Sequence, residues 1–166
     1  MTIGIEIRPA APADHAAVWA ILEPVFRAGD TYTVDADVTR DDALAYWFDV
    51  SKRVYVAEID GHVVGTYYIR PNQAGGGAHV CNCGYMAHPQ ARGLGVARAM
   101  LQHSLALAPE LGYRAMQYNF VVATNTRAIA IWQANGFDIV GRLPAAFRHP
   151  QQGFVDALVM LSLIHI

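Results

Sequence analysis

Residues 92–97 read Arg-Gly-Leu-Gly-Val-Ala, a glycine-bearing turn from which the other elements of the chain can be placed. Apolar side chains recur at helical spacing from Val96 to Ala108, so we expect a helix that begins at the turn and stops by Gly112. The preceding residues, 79–87, form a β-rich run. A helix N-terminus that follows glycines presents unpaired N–H groups and a partial positive charge. The sequence therefore predicts a strand–turn–helix unit that suits a pyrophosphate.

The residues in and around the turn exclude two other kinds of phosphate-binding loop. A dinucleotide fingerprint could be placed on Gln90, Gly93 and Gly95, but that motif follows the first strand of a βαβ unit, whereas an antiparallel meander precedes this turn. A Walker loop is excluded because the chain has no Gly-Lys-Ser or Gly-Lys-Thr.

The residues before the turn predict three consecutive strands. We expect these strands over residues 54–59, 63–69 and 79–87, with Asp60-Gly61 as a hairpin turn and residues 75–77 as a flexible glycine tip. A first strand over residues 3–8, a helix over residues 12–27 and a short helix opened by Thr39 should precede them. Pro24 is expected to kink or end the first helix.

The residues after the turn predict a buried strand, a helix and two final strands. The strand should cover residues 113–123, and the helix that follows should stop at Asn135-Gly136. The last two strands are expected over residues 137–140 and 155–161. With 166 residues there is room for one domain, which we place at residues 1–160.

Composition excludes several classes of protein. Hydrophobic residues make up 54% of the chain and charged residues 16%, which excludes intrinsic disorder. The net charge of -2, without runs of like charge, argues against a nucleic-acid partner. No apolar stretch approaches the ~20 residues that cross a bilayer and no leader is apparent, so we expect a cytoplasmic protein without a membrane partner. Cys81 and Cys83 lack further metal ligands at suitable spacing, so no metal is expected.

Two motifs resemble those of the GNAT superfamily of acetyl-CoA-dependent N-acetyltransferases. The turn matches the family's Gln/Arg-x-x-Gly-x-Gly/Ala, with Arg92 in the first position. Residues 125–137 match Asn-x-x-Ala-x-x-x-Tyr-x-x-x-Gly-Phe, except that Trp132 replaces the tyrosine. The resemblance implies an α/β (α+β) GNAT fold: a mostly antiparallel, mixed sheet of about seven strands, flanked by about four helices, with a splayed central pair of strands. It also implies acetyl-CoA as cosubstrate and a small-molecule amine as acceptor, and it leaves a homodimer open.

The resemblance further implies which residues hold acetyl-CoA. The N–H of Met86 or Ala87 would polarise the acetyl carbonyl, and Arg92 would contact a phosphate. Asn125 would reach the pantetheine arm, or else its side chain would cap the following helix. The full expected set is Met86, Ala87, His88, Arg92, Gly93, Leu94, Gly95, Val96, Ala97, Asn125 and Trp132.

The catalytic groups that many family members use are missing here. Residues 80–85 contain no glutamate to act as a base, so we expect Asn82 to orient the amine or a water instead. Tyr118 and Asn119 should point in opposite directions, so only one of them can face the cleft. The narrower resemblance described next favours Asn119. Trp132 replaces the usual acid, but a CoA thiolate with a pKa of about 8.5 leaves with little assistance.

A narrower resemblance bears on the acceptor. Residues 80–85, 108–113 and 118–125 resemble the fungal acetyltransferases that act on azetidine-2-carboxylate, a proline analogue. This implies an amino or imino acid acceptor. Docking is expected at the exit of the first helix, through Phe26, Asp30, Thr31 and Tyr32. Arg142, Arg148 and His149 are either carboxylate contacts or solvated charges.

Two alternatives to a small-molecule enzyme stay open. One is a protein or peptide N-acetyltransferase, and the other is a CoA-binding module without catalysis. The missing tyrosine and glutamate favour the second of these.

The last six residues are expected to be a tail of foreign origin. Residues 161–166 read Leu-Ser-Leu-Ile-His-Ile, which CTG TCT CTT ATA CAC ATC can encode, and this DNA resembles the adapter of transposase-based sequencing libraries. The alternative is an apolar end to the final strand. In the first case we expect Leu161 and Leu163 to extend the strand by accident, and His165 and Ile166 to fray.

Overall fold

A computed structural model gives the structure of residues 4–164. The strands are β1 Glu6–Pro9, β2 Arg53–Ile59, β3 His62–Pro71, β4 Val80–Ala87, β5 Ala115–Val122, β6 Asp138–His149 and β7 Gly153–Ser162. The α-helices are α1 His15–Ala28, α2 Arg40–Trp47, α3 Val96–Glu110 and α4 Thr126–Ala134. The predicted α/β fold with seven strands and four helices is confirmed for the described range.

The seven strands form one mixed sheet in the order β1-β2-β3-β4-β5-β7-β6. All neighbours are antiparallel except β4 and β5, which are parallel and pair only through Val80↔Ala115 and Cys81↔Met116. After this pair the two strands separate. The splayed central pair is therefore present, and it opens toward the carboxyl ends of both strands.

The helices cover both faces of the sheet. On one face, α3 and α4 bury a cluster that includes Tyr67, Cys83 and Met116. On the other face, α1 and α2 bury a cluster that includes Tyr68 and Met86. Because successive strand residues point to opposite faces, the two clusters draw on alternate residues of β3 and β4.

Several element boundaries differ from the sequence prediction. Pro24 neither ends nor interrupts α1, which continues to Ala28 and stops at Gly29 with a φ of 65°. Burial of Val18, Ile21, Leu22 and Phe26 against the sheet keeps this helix continuous past the proline. Residues Gly75–Gly77 form a short 3₁₀ turn. β6 extends to His149 because it pairs with β7 over most of its length, a long-range contact that local patterning does not reveal.

The final strand continues past the expected domain boundary at residue 160. Leu161 pairs with Gln117 and Asp138, and Ser162 pairs with Met116 and is buried. Ile164 packs against the cluster under α3. His165 and Ile166, which were expected to fray, lie outside the described residues. The foreign origin of the tail remains a prediction.

None of the helices in residues 4–164 combines the length and the apolar character that a membrane span requires. The same residues bring no three metal-ligating side chains together.

Candidate active site

The backbone N–H and C=O groups of β4 point alternately toward its two neighbouring strands, β3 and β5. At its ends, the N–H of Asn72 donates to the carbonyl of Val80 (2.8 Å) and the N–H of His88 donates to the carbonyl of Val64 (2.7 Å). The register between these two bonds is regular. Antiparallel pairing alternates, so the even-numbered residues of β4 bond to β3 and the odd-numbered residues direct N–H and C=O toward β5.

Because β4 and β5 separate, those odd-numbered residues of β4 face a gap between the two strands. Their ladder to β5 stops at Cys81. The carbonyl of Tyr85 accepts a hydrogen bond from the Tyr32 hydroxyl at 3.0 Å. By this alternation, the N–H groups of Cys83, Tyr85 and Ala87 are the β4 donors directed toward the gap. Of the two donors expected from the sequence, Ala87 fits and Met86 does not, because the N–H of Met86 is directed to Thr66 of β3.

A cavity of about 730 Å³ follows the gap from α3 to the loop after α1. Its wall contains most residues of the expected cosubstrate site: Met86, Ala87, His88, Arg92, Gly93, Gly95, Val96, Ala97, Asn125 and Trp132. Leu94 is not part of the wall. Its N–H donates to the carbonyl of Ala91 (3.2 Å) and its side chain is exposed, so Leu94 shapes the turn without offering a donor to the cavity.

One end of the cavity is an anion cradle built by the glycine turn. Gly93 and Gly95 both have a φ of +83°, which L side chains rarely adopt. The first bond of α3 runs from the N–H of Ala99 to the carbonyl of Gly95 (3.0 Å), so the preceding N–H groups have no acceptor in the helix. Those groups belong to Val96, Ala97 and Arg98, which line the cavity.

Cationic side chains contribute to the wall of the same cavity. Arg92, Arg98 and Arg127 line the same cavity, and only Arg92 was expected from the sequence. Together with the positive end of the α3 dipole, they make this end of the cavity suitable for several phosphate groups.

Asn125 and Trp132 bring α4 to the opposite wall. Asn125 is the N-cap residue of α4, yet its side chain makes no capping hydrogen bond. The capping alternative is therefore wrong, and the side chain is available to a ligand. The Trp132 ring lies 5.4 Å from the Tyr85 ring and 5.1 Å from the Tyr118 ring, so it packs between two aromatic side chains.

Buried hydroxyl groups form a chain beneath the gap. The Tyr118 hydroxyl donates to the Tyr85 hydroxyl (3.0 Å), which lies 2.7 Å from Ser104 Oγ, and Ser104 in turn donates to the carbonyl of Leu101 (2.7 Å). Burial raises the pKa of both tyrosines well above the ordinary value. Both therefore stay protonated and cannot serve as bases.

The two asparagines expected to act on the amine both line the cavity. Asn82 is buried, and its Nδ2 donates to the carbonyl of Gln117 (2.9 Å) just past the point where β4 and β5 part. Asn119 is exposed and its Nδ2 donates to Asn72 Oδ1 (2.7 Å). The prediction that Tyr118 would point away from the cleft is wrong, since Tyr118 also lines the cavity. The splay opens the edge of β5, so the cavity reaches both of its faces.

Only half of the expected acceptor residues line the cavity. Thr31 and Tyr32 do, and the loop that carries them begins at the left-handed Gly29. Phe26 is fully buried, with its ring 5.9 Å from that of Tyr32, so it supports the wall from behind. Asp30 does not line the cavity in the structure. A helix exit predicted from sequence locates the loop but not the direction of each side chain.

No aspartate or glutamate lines the cavity within residues 4–164, which agrees with the absence of a glutamate from residues 80–85. His88 is present, but its Nδ1 accepts from the N–H of Gln90 (3.1 Å). In the neutral ring Nε2 then carries the proton, so the imidazole offers no free acceptor. Among residues 4–164, the cavity wall therefore offers neither a carboxylate nor a free imidazole acceptor to serve as general base.

The splayed sheet and the glycine cradle are shared with a known protein family. The model of the Acetyltransferase (GNAT) family matches residues 16–137. The chain belongs to this family. Among curated proteins, this GNAT member is 30% identical over 148 residues to N-acetyltransferase aca1 of Schizosaccharomyces pombe, covering 79% of this chain and 71% of that protein.

Solved structures of other proteins support the assignment of this chain to the GNAT family. A GCN5-related N-acetyltransferase from Kribbella flavida is 39% identical, with a TM-score of 0.91 and coverage of 96% of this chain and 97% of that chain. A GNAT phosphinothricin acetyltransferase from Sinorhizobium meliloti, solved with acetyl-CoA, is 21% identical and shares the fold with a TM-score of 0.82, covering 97% of this chain and 88% of that chain. This chain is thus an acetyl-CoA-dependent N-acetyltransferase.

The residues of this GNAT enzyme fit acetyl-CoA. The cradle at Gly93 and Gly95, with the free N–H groups of α3, suits the pyrophosphate. The inward-facing N–H groups of β4 suit the amide-rich pantetheine arm and the thioester. When bound there, acetyl-CoA supplies the activated acetyl group.

Sequence reasoning about this GNAT enzyme missed several cavity residues. Tyr118 was assigned to the wrong side, and Arg70, Arg98 and Arg127 received no role although all line the cavity. A usable signal existed for Arg98, which follows the turn within the first helical residues. For Arg70, only the register of β3 against β4 reveals its position.

Proposed function

We propose that the protein transfers the acetyl group of acetyl-CoA to the amine of a small amino or imino acid, by direct attack within a ternary complex. The observation that carries this proposal is the acceptor end of the cavity, which is walled by the aromatic rings of Tyr32, Tyr46 and Tyr68. A cavity of about 730 Å³ that also takes the pantetheine arm leaves room for a small acceptor. The resemblance of residues 80–85 to the azetidine-2-carboxylate acetyltransferases supports the same class.

Direct attack is supported by the state of Cys83, the cysteine in the cavity wall that could form a covalent acetyl-enzyme. Cys83 lines the cavity, and burial raises the pKa of its thiol well above the ordinary value. A protonated, buried thiol is a poor nucleophile. The amine itself is therefore the attacking group.

Each residue has a defined part in this proposal. The N–H of Ala87, with that of Tyr85, stabilises the negative charge that develops on the thioester oxygen. Asn82 and Asn119 orient the amine so that its lone pair meets the carbonyl carbon. The new C–N bond forms, the C–S bond breaks, and the electron pair leaves with the CoA sulfur. The amine proton passes to solvent, and the thiolate is protonated from solvent or kept as thiolate.

The proposal is tested by measuring thiol release from acetyl-CoA. We expect turnover with one or more members of a panel of amino acids, L-proline and azetidine-2-carboxylate. A matched panel contains peptides that begin with the same residues, and these should react much more slowly because the aromatic wall limits the length of the acceptor. Preferential turnover of the peptides would contradict the proposal, and so would binding of acetyl-CoA without turnover of any amine.

The pH dependence of turnover should reflect the acceptor amine. Because the site holds no evident base, only the fraction of acceptor that is already neutral can attack. We expect kcat/KM to rise about tenfold per pH unit below the pKa of the amine. The measurement is a pH series of initial rates with two acceptors that differ in amine pKa. The plateau should move with the acceptor, whereas a plateau at one fixed pH would reveal a base in the enzyme.

A further inference from the structure

Arg70 is a cavity residue whose guanidinium lacks a complete set of partners. Its Nε atom is buried, and it has no hydrogen-bond partner among residues 4–164. Arg70 also lines the cavity described above. A buried N–H without an acceptor is costly, and for a charged group the cost is greater still. Such a donor at a cavity wall indicates a place where a ligand supplies the missing acceptor.

The sheet register places Arg70 at the acceptor end. Arg70 stands directly opposite Asn82 in the β3–β4 pairing, so the two side chains share a face of the sheet. The same face carries Tyr68, whose ring walls the cavity. From Asn82 to Tyr85, strand β4 rises about 10 Å. An arginine side chain and one amino acid together span that distance, so a single small acceptor can touch both Arg70 and the thioester.

The charges around Arg70 favour an acidic ligand. None of the ion pairs within residues 4–164 involves Arg70. The neighbouring ammonium of Lys52 lies 3.7 Å from the centre of the Tyr46 ring and 4.3 Å from that of Tyr68. Burial and the nearby Arg70 charge lower the pKa of Lys52 to about 8. Two cations thus lie behind the acceptor end of the cavity.

The Asp49 carboxylate lies close enough to interact with both cations, and one of its two oxygens is engaged elsewhere. Asp49 Oδ1 accepts from the N–H of Ser51 (2.9 Å) and from its hydroxyl (2.7 Å). Arg70 and Lys52 together with the Asp49 carboxylate leave a net positive charge at this position. A guanidinium matches a carboxylate in geometry, because its planar N–H groups can donate to both oxygens at once.

We propose that Arg70 binds the carboxylate of the acceptor, so that the enzyme selects amines that carry an acid group beside the reacting nitrogen. This inference rests on the proposed function and names the residue that would set its substrate class. It assigns the carboxylate contact to β3 rather than to Arg142, Arg148 or His149 of the last hairpin, none of which lines the cavity in the structure.

The test compares acids with their carboxamides in the wild type and in Arg70→Gln. L-Proline, azetidine-2-carboxylate and the standard amino acids are each assayed beside the corresponding amide, which keeps the amine but removes the acid. Because the amide also lowers the pKa of the amine, rates are compared per concentration of neutral amine, and on that scale we expect the wild type to prefer the acid. Arg70→Gln should raise KM for the acid by about 10- to 100-fold with a smaller change in kcat, and should leave the amide little affected. Arg70→Lys should recover part of the loss.

Two controls separate this role from a structural one. Arg148→Gln removes an exposed arginine outside the cavity and should leave the preference for acids unchanged. Calorimetric titration of the same ligands into the CoA-bound protein measures acceptor binding without turnover. If no amine is acetylated, the proposed function fails, but this titration still decides the role of Arg70. Equal binding of acid and amide by the wild type, equal losses for both in Arg70→Gln, or no binding of either would overturn the inference.

Discussion

Replacing Gly95 with valine is expected to weaken CoA binding by at least about tenfold. Gly95 has a φ of +83°, and holding an L residue in the left-handed region costs about 1–2 kcal/mol, more for a β-branched side chain. No atom lies within 4 Å of an added Cβ, so the backbone conformation is the cause rather than a clash. Relief of the strain would rotate the peptide groups at the start of α3 and move the N–H donors away from the pyrophosphate. Calorimetric titration with CoA measures the change.

Gly112 provides a matched control for this variant. It has a φ of +91° and equally open space around an added Cβ, but it lies beyond the C-terminal end of α3. Gly112→Val should lose stability to a similar extent while its affinity for CoA stays near the wild-type value. If folded Gly95→Val bound CoA with unchanged affinity, the cradle would not be part of the CoA-binding site.

Replacing Gly84 with alanine is expected to destabilise the fold and distort the acceptor end of the cavity. An added Cβ would lie 2.5 Å from Tyr68 Cε2 and 2.8 Å from its Cζ. The ring cannot retreat easily, because it packs edge-on against Trp47 at 4.9 Å and lies under the Lys52 ammonium. Overpacking of this kind costs about 1–3 kcal/mol, or roughly 2–12 °C in Tm for a chain of this size. Thermal unfolding and acceptor KM are the two readouts.

A control variant and a rescue variant for Gly84→Ala can both be made within the same sheet. An added Cβ at Gly141 would meet Val159 at 3.7 Å, an ordinary contact, so Gly141→Ala should be nearly neutral. Shortening the opposing ring in the double variant Gly84→Ala/Tyr68→Leu should recover stability relative to Gly84→Ala, but it should not restore the acceptor site. A Gly84→Ala protein that melts like the wild type would show that Tyr68 is free to move.

The cosubstrate half of the site follows closely from the sequence, and the reason is local. Gly93, Gly95 and the start of α3 lie within one continuous segment, so spacing alone brings the donors together. Even here, Leu94 was expected to hold acetyl-CoA, but it does not line the cavity and its N–H donates to the carbonyl of Ala91. The choice between Met86 and Ala87 needed the alternation of the β3–β4 ladder, which depends on the register of two strands rather than on either strand alone.

The acceptor half could be predicted only in part. Asn82, Thr31 and Tyr32 line the cavity, whereas Phe26 and Asp30 lie outside its wall, and Arg70, which lines it, was overlooked. These residues come from α1, its exit loop, β3 and β4, so their convergence depends on how helices and strands pack. A residue such as Arg70 has no distinctive sequence signal, because an arginine near the end of a strand is most often solvated.

The family, the order of the elements and the glycine cradle could be predicted from the sequence, because each depends on periodicity and spacing within short segments. Three other features became visible only in the packed structure: which β4 groups face the gap, that both Tyr118 and Asn119 line the cavity, and that Arg70 stands opposite Asn82 with a buried, unpartnered Nε. These facts arise from strand register, from the early separation of β4 and β5, and from burial. All three are products of contacts between residues far apart in the chain, which no local pattern of residues contains.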